Sequence, residues 1–134
     1  MILVDSSVWI AFFRGDALPQ TRLLQTILQN EIADIVVADM VLLEVLQGFR
    51  SDTQAKAALN AMTALPCFNL GGKTLALLAA KNYRKLRSQG YTVRSTLDCL
   101  IATFCIEHDF TLLHNDRDFL PFQQHLGLRV LESV

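Results

Sequence analysis

The stretch Ser95-Thr96-Leu97-Asp98-Cys99-Leu100-Ile101-Ala102-Thr103-Phe104-Cys105 and its continuation Thr111-Leu112-Leu113-His114-Asn115-Asp116-Arg117-Asp118-Phe119 decide the fold. The first reads as a helix opened by Ser95 or Thr96, the second as a short buried strand that must end where the acids begin. Asp98 falls in the helix's first turn, and Asp116 follows the strand. In an open α/β sheet, ligands gather outside the carboxyl ends of the strands. Two carboxylates on consecutive elements can therefore converge on one point. Upstream, the chain supplies two more acids, Asp5 and Glu44.

Outward from that stretch the same alternation repeats. Ile2 to Val4 is a short apolar run closed by Asp5-Ser6-Ser7, the pattern of a buried parallel strand feeding a helix. The helix that follows is apolar nearly all round, through Val8, Trp9, Ile10, Ala11, Phe12 and Phe13, until Gly15-Asp16 ends it. Pro19 to about Asn30 repeats Leu23, Leu24, Ile27 and Leu28 at helical spacing. Ile35 to Ala38 reads as a second strand, and Asp39 as the N-cap of a helix from Met40 to Gln47 in which Glu44 is the only charge. Ser51-Asp52-Thr53-Gln54 has capping-box spacing and opens an alanine-rich helix to about Leu65. Pro66 to Leu70 is a strand candidate, Lys73 to Ser88 a long helix, Phe119 to Gln124 a short one, and Leu128 to Leu131 a last strand. Strands alternating with helices predict an α/β fold of three layers: a central, mainly parallel twisted sheet with helices on both faces. We read residues 1–134 as one domain, without repeats or linkers.

Composition narrows the classes. At 51% hydrophobic residues the chain is globular rather than disordered. The net charge of -1 argues against a protein that grips nucleic acid by overall charge. If four of the thirteen acids hold a metal, nine remain against twelve Lys and Arg, which leaves a mildly basic surface. Cys67, Cys99 and Cys105 form no C-x-x-C pair and lie in apolar runs, so they read as reduced, buried hydrophobes of a cytoplasmic protein. Met1-Ile2-Leu3-Val4-Asp5 does not look like a signal peptide, and no apolar run approaches the roughly 20 residues of a membrane span, so no membrane partner is expected.

Each acid alone has an innocent explanation. Asp5 can cap its helix, Asp98 stands at capping-box distance from Ser95, Asp116 and Asp118 can form turns, and Glu44 can share an exposed face with Gln47. Together they are harder to dismiss. Two fall at strand ends, and two interrupt apolar helices that must pack on the sheet. Buried carboxylates are costly unless paired or metal-bound, and two of them 4 Å apart repel by about 4 kcal/mol at an effective dielectric near 20. Only Arg117 lies in the same segments, so a divalent cation is the simplest counter-charge. Oxygen ligands without clustered Cys or His suit Mg²⁺ or Mn²⁺ rather than zinc. His108, His114 and His125 lack metal-ligand spacing and read as packing or surface groups.

At these residues the chain resembles a known family. Val4-Asp5-Ser6-Ser7-Val8-Trp9-Ile10, Leu43-Glu44-Val45-Leu46-Gln47-Gly48-Phe49, Leu97-Asp98-Cys99-Leu100-Ile101-Ala102 and His114-Asn115-Asp116-Arg117-Asp118-Phe119 look like the acidic motifs of PIN-domain ribonucleases, most closely the VapC toxins of bacterial toxin-antitoxin pairs. The resemblance implies a metal-dependent endoribonuclease in which Asp5, Glu44, Asp98 and Asp116 hold Mg²⁺ or Mn²⁺, with Asp118 as a fifth acid. It also implies a tRNA or rRNA substrate, a homodimer, and a VapB-like antitoxin whose C-terminal segment occupies the cleft. Ser7 is expected to support the cluster or the substrate phosphate. For RNA phosphates the candidates are Arg84, Arg94 and Arg117, with Lys85, Arg87, Arg14 and Arg50 nearby. The chain departs from the family's pattern at Asp109, where relatives often carry glycine. Asp tolerates the left-handed conformation that position needs. The alternatives are a housekeeping RNA-processing nuclease of the same fold and a non-catalytic binding scaffold. Gly72-Lys73-Thr74 imitates the end of a P-loop, but Cys67 stands where the first glycine belongs.

Overall fold

The computed structural model describes residues 1–132. Its strands are β1 (Ile2–Val4), β2 (Ile35–Ala38), β3 (Cys67–Phe68), β4 (Thr111–Leu113) and β5 (Arg129–Val130). Its helices are α1 (Ser6–Arg14), α2 (Pro19–Asn30), α3 (Asp39–Gln47), α4 (Asp52–Thr63), α5 (Lys73–Ser88), α6 (Thr96–His108) and α7 (Leu120–His125), with a 3-10 turn over Arg117–Phe119. The five strands form one sheet in the order β3-β2-β1-β4-β5, and every pairing is parallel. The order turns at β1. Right-handed crossovers then place the helices between β1 and β3 on one face and those between β3 and β5 on the other. The contacts agree: α1 packs on α2 and α3, α3 on α4, and α5 on α6 and α7.

The central strands are apolar on both faces because both are covered. Leu3, Val4, Val36, Leu112 and Leu113 have no exposed surface, and Trp9, Ile101, Phe119 and Phe122 close the core from the helices. Burying each such side chain contributes about 1.5–3 kcal/mol. Trp9 stacks on Phe13 at 5.6 Å and meets Phe12 edge-on at 6.0 Å, which is why α1 tolerates apolar residues nearly all round. Gly15, at φ 80°, lets the chain leave α1 in a left-handed turn, and Asp109 does the same for α6 at φ 59°.

Several local expectations change. Asp39 is not the cap of α3 but its first residue. Its Oδ1 accepts from the Met40 N–H at 2.8 Å and from the Leu70 N–H at 2.9 Å, tying the start of α3 to the segment after β3. Cys67 is exposed, since β3 is a two-residue edge strand with one side uncovered, whereas Cys99 and Cys105 are buried. The short helix expected from Phe119 divides into the 3-10 turn and α7, because Asp116 caps the turn and Pro121 starts a new helix. Among the described residues, no helix is long and apolar enough to cross a membrane.

Candidate metal centre

The centre forms where the strand order turns, at the carboxyl ends of β1 and β4. Val4 pairs with Leu113, and the Asp5 N–H donates to the Leu113 carbonyl at 2.9 Å. Asp5 and His114, the next residues on the two strands, therefore stand side by side. Asp5 also caps α1. Its Oδ2 accepts from the Ser7 N–H at 3.1 Å and from Ser7 Oγ at 2.6 Å. Its Oδ1 is buried and has no partner. With Asp5 only 3% exposed, burial is the main force raising its pKa, and the hydrogen bonds from Ser7 oppose it.

Glu44 reaches the same place from α3, where Ser6 Oγ donates to its Oε1 at 3.2 Å. Its pKa is raised, first by burial and then by the nearby charge of Asp5. Asp98 is aimed by its cap: Ser95 Oγ accepts from the Asp98 N–H at 3.2 Å and opens α6 there. The reciprocal bond of a capping box is not made, and the Asp98 carboxylate has no hydrogen bond among the described residues. Asp116 uses Oδ1 to accept from the Asp118 N–H at 2.9 Å, which turns Asp118 back toward the centre. One oxygen each from Asp98, Asp116 and Asp118 lie within 4.8 Å of one another. Asp118, the fifth acid of the sequence reading, thus belongs to the tight trio, while Asp5 and Glu44 lie outside it.

Charge links all five. Burial, followed by repulsion from Asp5, Asp116, Glu44 and Asp118, pushes the Asp98 carboxyl up to about 7. Among the described residues, no Lys or Arg forms an ion pair with these acids. The two ion pairs among the described residues, Arg14–Asp16 and Arg129–Asp109, both lie on the surface, each at 2.8 Å. Arg14, a candidate for phosphate, is therefore engaged by Asp16. Arg84, Arg94 and Arg117 are exposed and pair with no carboxylate among the described residues. Arg117 flanks Asp116. Arg84 instead lines a groove of about 400 Å³ between α5 and α6, with Arg87, Thr96 and Leu100. An all-oxygen donor set, a buried Asp5 Oδ1 without a partner and an unbonded Asp98 carboxylate fit a hard divalent cation. A larger cavity, about 640 Å³, opens at the other end of the sheet beside Met1, Asp34 and Pro66, away from the acids.

Three contributors escaped the sequence reading. Ser6 holds Glu44 across 38 positions of chain. Asn115 donates its backbone N–H to Ser7 Oγ at 3.2 Å, extending the Ser7–Asp5 chain. His114 accepts the Asp116 N–H at Nδ1, 3.1 Å away, and its ring lies 4.8 Å from that of Phe119. Burial lowers the His114 pKa, against the raising pull of Asp5 and Asp116. The bonded Nδ1 places the proton on Nε2, which is buried without a partner. Its position two before Asp116 was the available signal, but only the β1–β4 pairing sets it beside Asp5.

This fold and site define a class: a parallel α/β domain that gathers acids at its strand-order turn, a donor set that suits a divalent cation. A family model described as "PIN domain" matches residues 2–122. Ribonuclease VapC11 of Mycobacterium tuberculosis is 34% identical over 119 residues, covering 89% of each chain. The chain belongs to the PIN-domain family and, within it, to the VapC ribonucleases of toxin-antitoxin systems. Solved structures share the fold. The VapBC2 complex of Rickettsia felis bound to a promoter DNA fragment superposes with a TM-score of 0.75 at 17% identity, covering 98% of each chain. M. tuberculosis VapC20, described as a sarcin-ricin loop cleaving toxin, gives 0.63 at 17% identity, covering 90% of this chain and 93% of that one.

Proposed function

We propose that residues 1–134 act as one metal-dependent endoribonuclease domain, the toxin of a cytoplasmic toxin-antitoxin pair, which hydrolyses phosphodiesters of structured RNA such as a tRNA or rRNA loop. The observation that carries this reading is the convergence of four acids from three other parts of the chain on Asp98, with no ion pair to any of the five among the described residues. Asp98, Asp116 and Asp118 would hold Mg²⁺ or Mn²⁺, with Asp5 and Glu44 completing the charge around it. When bound, such an ion polarises a phosphoryl oxygen and lowers the pKa of its water.

The chain's own groups do the positioning. Ser7 fixes the rotamer of Asp5 through two hydrogen bonds, Ser6 steadies Glu44, and Ser95 aims Asp98 by capping α6. Arg117, and farther out Arg84 and Arg94, supply charge for backbone phosphates without reading bases. The similar proteins support both partners: the Rickettsia felis structure is a VapBC2 complex, and M. tuberculosis VapC20 is described as a sarcin-ricin loop cleaving toxin. A VapB-like antitoxin and a second copy of the chain are the expected protein partners.

The test is cleavage of structured RNA with Mn²⁺, comparing the native chain with Asp98→Asn. Metal-dependent cutting that disappears in the variant supports the nuclease. No cutting of any RNA, together with Mn²⁺ affinity unchanged by the substitution, leaves a binding scaffold instead.

A further inference from the structure

Beside the acid cluster, a cavity of about 280 Å³ is lined by Gln20, His114, Asn115, Asp116, Arg117 and Leu120. It shares Asp116 with the acid trio, so whatever fills it lies within reach of the cut. Its volume falls just below the roughly 300–1,000 Å³ typical of sites for drug-sized ligands, a size for one flat ring system rather than a larger molecule.

The lining chemistry is that of base recognition. Gln20 and Asn115 each carry an amide with donors and an acceptor on one edge. They come from the start of α2 and the loop after β4, 95 positions apart, and touch through a long bond of 3.4 Å from Gln20 Nε2 to Asn115 Oδ1. Neither amide makes another hydrogen bond among the described residues, which leaves the Asn115 donors and the Gln20 acceptor free. Leu120, 41% exposed, offers an apolar wall, and Arg117 offers a cation for the adjoining phosphate.

Register is what separates this cavity from a casual hollow. The Asn115 N–H donates to Ser7 Oγ at 3.2 Å, and Ser7 Oγ donates to Asp5 Oδ2 at 2.6 Å. Two bonds therefore tie the residue that would hold a base to Asp5, whose charge acts on the acid trio. We propose that this cavity is a subsite for a single unpaired nucleobase next to the scissile phosphate, read through the amides of Gln20 and Asn115; this rests on the nuclease reading. Unpaired bases splayed out of RNA loops are read in this manner, by hydrogen bonds to their edges and contact with their faces. The subsite gives the enzyme a base preference that the carboxylates and arginines cannot supply.

The test has two arms. In the first, a randomised single-stranded RNA pool is cut with Mn²⁺ and the new ends are sequenced for the native chain, Gln20→Ala and Asn115→Ala. One position flanking the cut should show a base preference that weakens about tenfold in each variant, the discrimination one amide-to-base pairing provides. An unchanged preference, or none in the native chain, overturns the subsite. Gln20→Glu and Asn115→Asp keep the side-chain shape if the alanine variants fold poorly. In the second arm, a short 2′-O-methyl oligonucleotide of mixed sequence, which cannot be cut, is titrated into the native protein while the Gln20 and Asn115 side-chain amide NMR signals are followed. Shifts of both signals support the subsite even if no RNA is cut, in which case the nuclease reading alone falls. Static signals overturn it even if cutting is robust.

Discussion

The chain's acids live in two different regions. Asp16 and Asp109 sit on the surface, each in a 2.8 Å ion pair with an arginine, Arg14 two positions away in the chain or Arg129 at the start of β5. Asp5, Glu44, Asp98, Asp116 and Asp118 crowd together at the strand ends with no such partner among the described residues. The cationic residues are numerous enough to serve both regions, since Lys and Arg total twelve. Among the described residues the ion pairs lie only at the surface, which leaves the clustered acids without a side-chain counter-charge. Surface pairs contribute little because water screens them, whereas the crowded acids repel one another unless a cation or a proton neutralises part of their charge.

The sharpest way to break this contrast is to neutralise one acid from each region. Asp98→Asn should slow RNA cutting on the order of a thousandfold, as for loss of a group that stabilises transition-state charge. Asp16→Asn should change the initial rate by less than about twofold, as exposed pairs contribute about 0–1 kcal/mol or less. Similar losses in both variants would erase the distinction.

Groups that merely hold the acids come next. Ser7→Ala and His114→Phe should each weaken Mn²⁺ binding roughly 10–100-fold by calorimetry, the usual cost of removing a support behind a metal ligand. His114→Asn, which can still accept the Asp116 N–H, should recover part of that loss. Equal affinity for the Phe and Asn variants would reduce His114 to packing on Phe119.

The pH dependence carries a definite sign. Asp98 is raised to about 7 from an ordinary value of 3.8, so between those values the folded chain holds a proton that the unfolded chain has lost. The contribution is therefore present at low pH and fades as pH climbs through about 7. Metal-free protein should lose roughly 1–2 kcal/mol of stability over that range, after discounting for the half-exposed carboxyl, and Asp98→Asn should flatten the curve. Mn²⁺ affinity should move the opposite way, tightening toward pH 8 as the proton leaves. A melting temperature that rises with pH in metal-free protein contradicts this picture.

The smallest expected effect lies outside both regions. Arg129→Ala removes a surface pair and should alter stability by less than about 1 kcal/mol in urea unfolding, with cutting unaffected.

Much of this was legible before any coordinates. Periodicity located all five strands and the main helices, because burial on both sides of a sheet leaves unbroken apolar runs such as Ile2–Val4. Ser95 and Ser51 were readable as caps because a cap is a local bond. Errors arose where a residue's partner was distant in the chain. Asp39 was misread as a cap because its second bond runs to Leu70, and Cys67 was taken as buried because nothing local reveals an edge strand. Arg14 was offered to phosphate although Asp16 already engages it.

What the sequence determined by itself was the inventory: which residues are acidic, which segments coil or extend, and that four motifs stand in the order of a nuclease family. The tertiary structure decided adjacency. It placed His114 beside Asp5, drew Asp118 into the trio ahead of Asp5 and Glu44, and set Gln20 against Asn115. The reason is physical: caps and periodicity are satisfied within a few residues, but the pairing of β1 with β4 joins parts of the chain more than a hundred positions apart, and that pairing brings Asp5 to the segment that carries Asp116 and Asp118.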